Sequence, residues 1–317
     1  MSRRLPTLDI VMVNWNAGVL LHTCLQSVVR AGQEGFVLSR VVVVDNGSTD
    51  DSLEKIDGMK LPLVVVRNAG NRGFSAACNQ GAEGSRADYL LFLNPDMVLE
   101  EKSLSSAVAW MESTRGAQTG ILGIQLVDEE GRVSRTCARF PAPRHFLSQM
   151  LGLYRLFPPL FPTHLLSQWN HRESREVDHV MGAFFLIRRP LFTTLRGFDE
   201  RFFVYLEDLD LSLRAYRAGW RSYYLTDTTA RHTGGGTSER VKGVRIFYAL
   251  QSRILYGYKH FSRPAAAMLL AGTLILEPPA RMVLAVFEHS SSTVRETLQA
   301  FCLLWRNLPR LVCRKKG

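Results

Sequence analysis

Short apolar runs at residues 8–14, 40–45, 63–67 and 89–93 alternate with stretches that read as helices at 20–30, at 51–56, where residues 46–50 supply capping chemistry, and at 75–82. The runs are rich in β-branched residues and too short for typical helices, so they read as buried strands. Strands alternating with helices define an α/β fold, a doubly wound sheet with its first strands parallel. Further along come a helix near 104–111, a strand at 120–127 with Asp128-Glu129-Glu130-Gly131 as its hairpin turn, a strand or helix at 177–188, and a strand at 222–225. Between the last two, Leu209, Leu213 and Tyr216 recur at helical spacing, with Gly219 at the stop. Beyond Val241 the pattern is helical, with apolar residues at Val244, Phe247, Tyr248 and Leu255.

Open α/β sheets bind ligands outside the carboxyl ends of their strands. Polar residues gather at those ends: Asn14 and Asn16 after the first strand, Asp45 and Asn46 after the second, residues 68–72 after the third, and Asn94-Pro95-Asp96 after the fourth. One such cluster is ordinary turn chemistry. Four on one edge point to a ligand. The chain has neither a GxGxxG after its first strand nor a Walker lysine motif, which removes the main support for a dinucleotide oxidoreductase or a P-loop NTPase. Asn94-Pro95-Asp96 offers a carboxylate and an amide oxygen to a hard divalent cation that also holds phosphates. His232, just before Gly234-Gly235-Gly236, suggests a loop closing over phosphate with a neutral ring nitrogen free to ligate a metal.

Residues 197–220 set Asp199, Glu200, Glu207, Asp208 and Asp210 among aromatic side chains at the mouth of a helix. Glu207, Asp208 and Asp210 fall in its first turn, where acids complement the helix dipole. The apolar stretch 201–206 beside them would desolvate at least one carboxylate, the setting of a general base. From these residues alone, capping and base are both open.

The net charge of +10 lies entirely in residues 240–317, which carry 13 Lys or Arg against Glu277, Glu288 and Glu296. A basic tail rich in leucine and aromatics suggests an anionic surface. It mixes charge with large apolar groups and has no nucleic-acid motif, so the expected partner is a membrane surface and not nucleic acid. The apolar stretch 265–276 is expected to break at Glu277-Pro278-Pro279, short of the roughly 20 residues a spanning helix needs, so the tail should lie on the membrane. No signal-type region precedes the first strand, and five scattered cysteines argue against a disulfide framework or a zinc site, which suits a reducing cytoplasm. Residues 140–178 crowd prolines among large apolar groups, as in a mobile lid or an irregular insertion.

In this order the motifs resemble the family 2 glycosyltransferases of the GT-A fold, particularly their bacterial rhamnosyltransferase-like branch. The resemblance rests on Val44-Asp45-Asn46-Gly47-Ser48-Thr49-Asp50, on Asn68-Ala69-Gly70-Asn71-Arg72-Gly73-Phe74-Ser75 with Asn79, on Leu93-Asn94-Pro95-Asp96, on Gly182-Ala183, on Gly197-Phe198-Asp199-Glu200-Arg201-Phe202-Phe203, on Glu207-Asp208-Leu209-Asp210-Leu211 with Arg214, on Gly219-Trp220 and on His232. It implies a GT-A type mixed sheet over 1–238, with a nucleotide-sugar half to about 115 and an acceptor half after it, then a basic, amphipathic, membrane-associating helical region at 239–317.

The same resemblance implies site roles. Asp45 would read the nucleotide base, and Asn71, Arg72 and Gly73 would meet nucleotide and diphosphate, with Asn14, Asn16, Asn46 and Asn94 lining the same site. Asp96 and His232 would hold Mg²⁺ or Mn²⁺; since Asn94 replaces the first acid of the metal motif, Asp96 becomes its main carboxylate. Asp208 would be the base, and Gly182, Ala183 and Glu207 would shape the acceptor or sugar pocket. The implied activity is inverting transfer from dTDP-L-rhamnose, or next from a UDP-hexose or UDP-N-acetylhexosamine, to a glycolipid or cell-surface polysaccharide precursor at the inner face of the cell membrane. A non-catalytic nucleotide-sugar-binding scaffold would need the nucleotide residues but not Asp208. A homo-oligomer is compatible with either.

Overall fold

The computed structural model describes residues 4–312 except 55, 57, 235–241 and 288–289, so Gly235 and Gly236 lie outside the described residues. In chain order the elements are β1 (Thr7–Asn14), α1 (Val19–Arg30), β2 (Val37–Asp45), β3 (Leu63–Arg67), α2 (Phe74–Ala82), β4 (Tyr89–Leu93), β5 (Met97–Leu99), α3 (Ser103–Glu112), β6 (Thr119–Val127), α4 (Pro143–Met150), α5 (Leu153–Leu156), β7 (Arg175–Val177), β8 (Phe184–Arg188), α6 (Arg189–Thr194), α7 (Glu207–Arg217), β9 (Arg221–His232), α8 (Lys242–His260), α9 (Arg263–Ala271), a π-helical turn (Gly272–Leu276), α10 (Glu277–Phe287) and α11 (Ser291–Val312). They form two compact units: residues 1–139, 166–200 and 207–237 make the first, and 140–165, 201–206 and 238–317 the second.

The first unit is built on one mixed sheet of nine strands in the order β3-β2-β1-β4-β8-β6-β9-β5, with β7 beside β9. β3, β2, β1 and β4 are mutually parallel, while β8 runs antiparallel to both β4 and β6. Burial on both faces explains the continuous apolar runs. Ile10, Met12, Val41 and Val43 pack with Leu21, Leu25 and Val28 of α1, whereas Val11, Leu90 and Phe92 turn to the other face, toward Phe192, Leu211 and Ala215. The strand order turns back at β1, between β2 and β4, and this is where such sheets open a crevice at the carboxyl edge.

Two expectations change, and one left open is decided. Residues 51–54 form turns and not a helix, with 55 and 57 outside the described residues. Ser52 Oγ donates to Asp50 Oδ1 at 2.6 Å and accepts from Asn14, so these side chains serve the loop in place of a helical ladder. The stretch at 177–188 resolves as the end of β7 and all of β8. In the second unit, Glu277-Pro278-Pro279 does not break the helix. The Glu277 N–H bonds Gly272 O five residues back, so the two prolines enter the first turn of α10, where an N–H has no helical partner to lose. A helix of 23 residues, Arg263–Ala285, results.

The second unit packs α8 against α11 through Phe247, Leu250, Ile254, Ala300, Phe301 and Leu304. Of residues 140–178, expected as a lid or insertion, 140–165 supply its short helices α4 and α5, and the rest belong to the first unit. Beneath the π turn the buried Arg253 donates to Thr273 and ion-pairs with Glu277, which also holds Arg281.

Candidate active site

Because β1 to β4 are parallel, their carboxyl ends share one edge, and the loops leaving them are stapled together by amides. Asn14, at the end of β1, is fully buried; it donates to Asp45 Oδ1 at 2.8 Å and to Ser52 Oγ at 2.7 Å. Asn16, in the left-handed region at φ +52°, accepts the Thr49 N–H at 2.8 Å. Asn46 accepts from the Asn68 amide at 3.0 Å and donates to Gly73 O at 3.1 Å and Asn71 Oδ1 at 3.2 Å. The β2 and β3 loops touch at Gly47, φ +74°, where a Cβ would lie 2.7 Å from Gly70 Cα, so only glycine fits.

Of the asparagines expected to line the nucleotide site, Asn14 and Asn46 are buried beneath the loops, where Asn14 donates to Asp45 and Asn46 to Gly73 O. Asn71 and Arg72 are exposed on that loop, and Gly73, φ +87°, turns it into α2.

β5 and β9 pair antiparallel with Met97 opposite His232, which brings Asp96 and His232 together: Oδ1 and Nε2 are 3.3 Å apart. Asp96 Oδ1 is buried without a hydrogen-bond donor. An anionic oxygen left without a donor beside a ring nitrogen, on the same loop as the Asn94 amide, fits a divalent cation. Among the described residues no third histidine, cysteine or acid completes the group, so further ligands would come from a diphosphate and water.

The acids that open α7 have three different environments. Asp208 Oδ2 accepts the Gly182 N–H at 2.9 Å and Oδ1 the Leu209 N–H at 2.7 Å. A Cβ on Gly182 would sit 2.9 Å from that same Oδ2, so residue 182 must be bare for Asp208 to hold its position. Glu207 is buried, and its Oε2 has no hydrogen-bond partner. Burial, then the charges of Asp208 and Asp210, raises its carboxyl well above the usual carboxylate range, which favours its protonated form. Asp210, fully buried, pairs with Arg214 at 2.8 Å, and Arg214 in turn donates to Leu195 O and Gly197 O.

Two hydrogen bonds connect these acids to the loop of Asn94 and Asp96. Ala183 O accepts the Asn94 N–H at 2.9 Å, and the adjacent Gly182 donates to Asp208. One neighbour of Asp208 escapes the sequence reading: His179, whose Nε2 lies 3.5 Å from Oδ2. Its signal was a polar ring inside the apolar run around Val177 and Val180, where burial demands a partner.

The model of the family described as "Glycosyl transferase family 2" matches residues 9–195. The chain belongs to that family, and it is a glycosyltransferase. The N-acetylglucosaminyl-diphospho-decaprenol L-rhamnosyltransferase of Mycobacterium tuberculosis is 26% identical over 242 residues, 71% of this chain and 75% of that one. Rhamnosyltransferase WbbL of Escherichia coli is 32% identical over 148 residues, 46% of this chain and 52% of its own. Among solved structures, the mannosyltransferase PcManGT of Pyrobaculum calidifontis, in complex with GDP-Man and Mn²⁺, has a TM-score of 0.55 at 15% identity, covering 99% of this chain and 89% of that one. S. aureus TarS has a TM-score of 0.54 at 15% identity, covering 96% and 91%. These likenesses establish the GT-A type mixed α/β fold.

Proposed function

We propose that the protein is an inverting glycosyltransferase that moves L-rhamnose from dTDP-L-rhamnose to a hydroxyl of a lipid-linked or polysaccharide precursor in cell-surface biosynthesis. The observation that carries this reading is the pair of hydrogen bonds running from Asn94 through Ala183 and Gly182 to Asp208, which ties a carboxylate to the loop that would face a diphosphate. Asp208 takes the proton from the acceptor O–H as that oxygen bonds to the anomeric carbon. The bond from this carbon to the diphosphate oxygen breaks, and its electron pair leaves with the nucleotide diphosphate. Attack opposite the leaving group inverts the carbon. Asp45 holds the base, and Asn71, Arg72 and Gly73 hold the diphosphate. A Mg²⁺ or Mn²⁺ ion on Asp96 and His232 would, when bound, neutralise the departing diphosphate as a Lewis acid. The sugar and the lipid-linked acceptor are taken from the names of the relatives.

Thermal unfolding with dTDP-rhamnose, UDP-glucose, UDP-N-acetylglucosamine and GDP-mannose, each with and without Mn²⁺, tests this. A ligand at about 100 times its Kd stabilises by about 2.7 kcal/mol. The expected result is a Mn²⁺-dependent rise with dTDP-rhamnose that Asp96→Asn removes. A rise with a UDP-sugar alone would replace the donor, and no metal-dependent rise with any of the four would count against the site.

The second unit supports a position on the inner face of the cell membrane. Between Pro264 and Ala285 every exposed residue is apolar, including Met268, Ile275, Leu276 and Val283. Of the charges of this helix, Arg263 stands at its first position, while Glu277 and Arg281 pair with each other, and Glu277 also with the buried Arg253. Such a face, in a region with the chain's whole positive excess, suits the interface of an anionic bilayer. Replacing Met268 and Ile275 together by Asp should abolish flotation with anionic vesicles while leaving the melting temperature unchanged. Flotation that survives the double change refutes this membrane face, and retention after alkaline carbonate washing would mean the helix spans.

A further inference from the structure

His179 lies on a backbone position fixed by mutual hydrogen bonds with Ala138, both at 3.1 Å, and its ring is buried between Asp208 and Ser212 of α7. Ser212 Oγ is 2.9 Å from Asp208 O, to which only a hydroxyl hydrogen can be donated, and 3.0 Å from His179 Nδ1. A serine has one hydrogen. Given to the carbonyl, it leaves Oγ as the acceptor for Nδ1–H. The neutral ring then carries its proton on Nδ1 and directs the unshared pair of Nε2 at Asp208 Oδ2, 3.5 Å away.

We infer that His179 is the positioning residue of the base: Ser212 holds its tautomer, and Nε2 receives a share of the proton that Asp208 takes from the acceptor. This rests on the assignment of Asp208 as base. The proton moves from acceptor oxygen to carboxylate, then lies between Oδ2 and Nε2 in a hydrogen bond that forms only as transfer proceeds. Such an interaction stabilises the transition state without binding substrate, so it acts on kcat. Burial lowers the affinity of the ring for a second proton against the opposing pull of Asp208 and Asp178, which keeps the pair on Nε2 unshared in the resting enzyme. Glu207, also beside Asp208, is buried, and that burial holds its carboxyl well above the usual carboxylate range.

The test compares pH profiles of kcat and KM for the full chain, His179→Leu, Ser212→Ala and Asp208→Asn, with dTDP-rhamnose and its acceptor. An unshared pair facing a carboxylate favours the protonated carboxyl. His179→Leu should therefore lower kcat by less than the roughly 10²- to 10⁴-fold of losing the base itself, leave the donor KM nearly unchanged, and move the acidic limb of kcat to lower pH. Ser212→Ala, which keeps the ring but frees the tautomer, should shift the limb the same way by less, and it carries the test alone if His179→Leu does not fold. A limb that moves to higher pH means Nε2–H donates to the carboxylate, and a limb that stays put means the ring only packs; either overturns the inference. Turnover retained by Asp208→Asn would instead remove the base assignment itself.

Discussion

Asp208→Asn should lower kcat by about 10²- to 10⁴-fold, the usual contribution of a positioned base, while a nucleotide sugar still raises the melting temperature as it does for the parent. The substitution is close to isosteric, and Asp208 is tied at both oxygens, to Gly182 and to Leu209. An amide can accept only one of those two N–H groups through its oxygen, so a small displacement adds to the loss of basicity. The residues proposed to hold the donor lie on other elements: Asp45 ends β2, and Asn71, Arg72 and Gly73 precede α2. Their loops are held by Asn14, Asn16 and Asn46, none of which depends on α7. Turnover and donor-induced stabilisation should therefore separate. If the two fall together, Asp208 is a donor-site residue and the base lies elsewhere.

The parallel half of the fold was legible because its signals are local. Runs such as Val41-Val42-Val43-Val44 fit a strand buried on both faces, and the polar residues after each run follow from where parallel strands end. The misreadings arose where a distant or unusual partner decides. Residues 46–50 have the chemistry to cap a helix at 51–56, yet Ser52 is engaged by Asp50 and by Asn14 from another strand. The prolines after Glu277 look like a stop until a five-residue hydrogen bond moves them into a first turn. In the site, Asp96 and His232 were both named as metal residues, and a strand pairing invisible in either segment brings them together. The sequence also showed three acids in the first turn of α7 without distinguishing them. Their separate environments depend on Gly182, on burial, and on a helix-internal arginine that also holds two carbonyls of another segment.

The last of these acids should behave oppositely to the first. Asp210 is fully buried, and its partner Arg214 is 17% exposed, so Asp210→Ala leaves a guanidinium without its counter-charge while Leu195 O and Gly197 O still hold it in place. Removing one partner of a buried pair costs about 3–5 kcal/mol. At roughly 2–4 °C per kcal/mol for a domain of this size, the melting temperature should fall on the order of 10 °C. Asp210→Leu combined with Arg214→Met removes both charges and should recover part of that loss, because no charge is left buried alone. Below its own transition, Asp210→Ala should keep kcat within about threefold of the parent, since its carboxylate pairs with Arg214, and a positioned base would be worth at least about 10²-fold. A variant that melts normally but no longer transfers sugar would reverse the assignment and make Asp210 the acid that meets the acceptor. The two substitutions, two residues apart on one turn, thus divide chemistry from scaffold: one should remove the reaction and keep the fold, the other weaken the fold and keep the reaction.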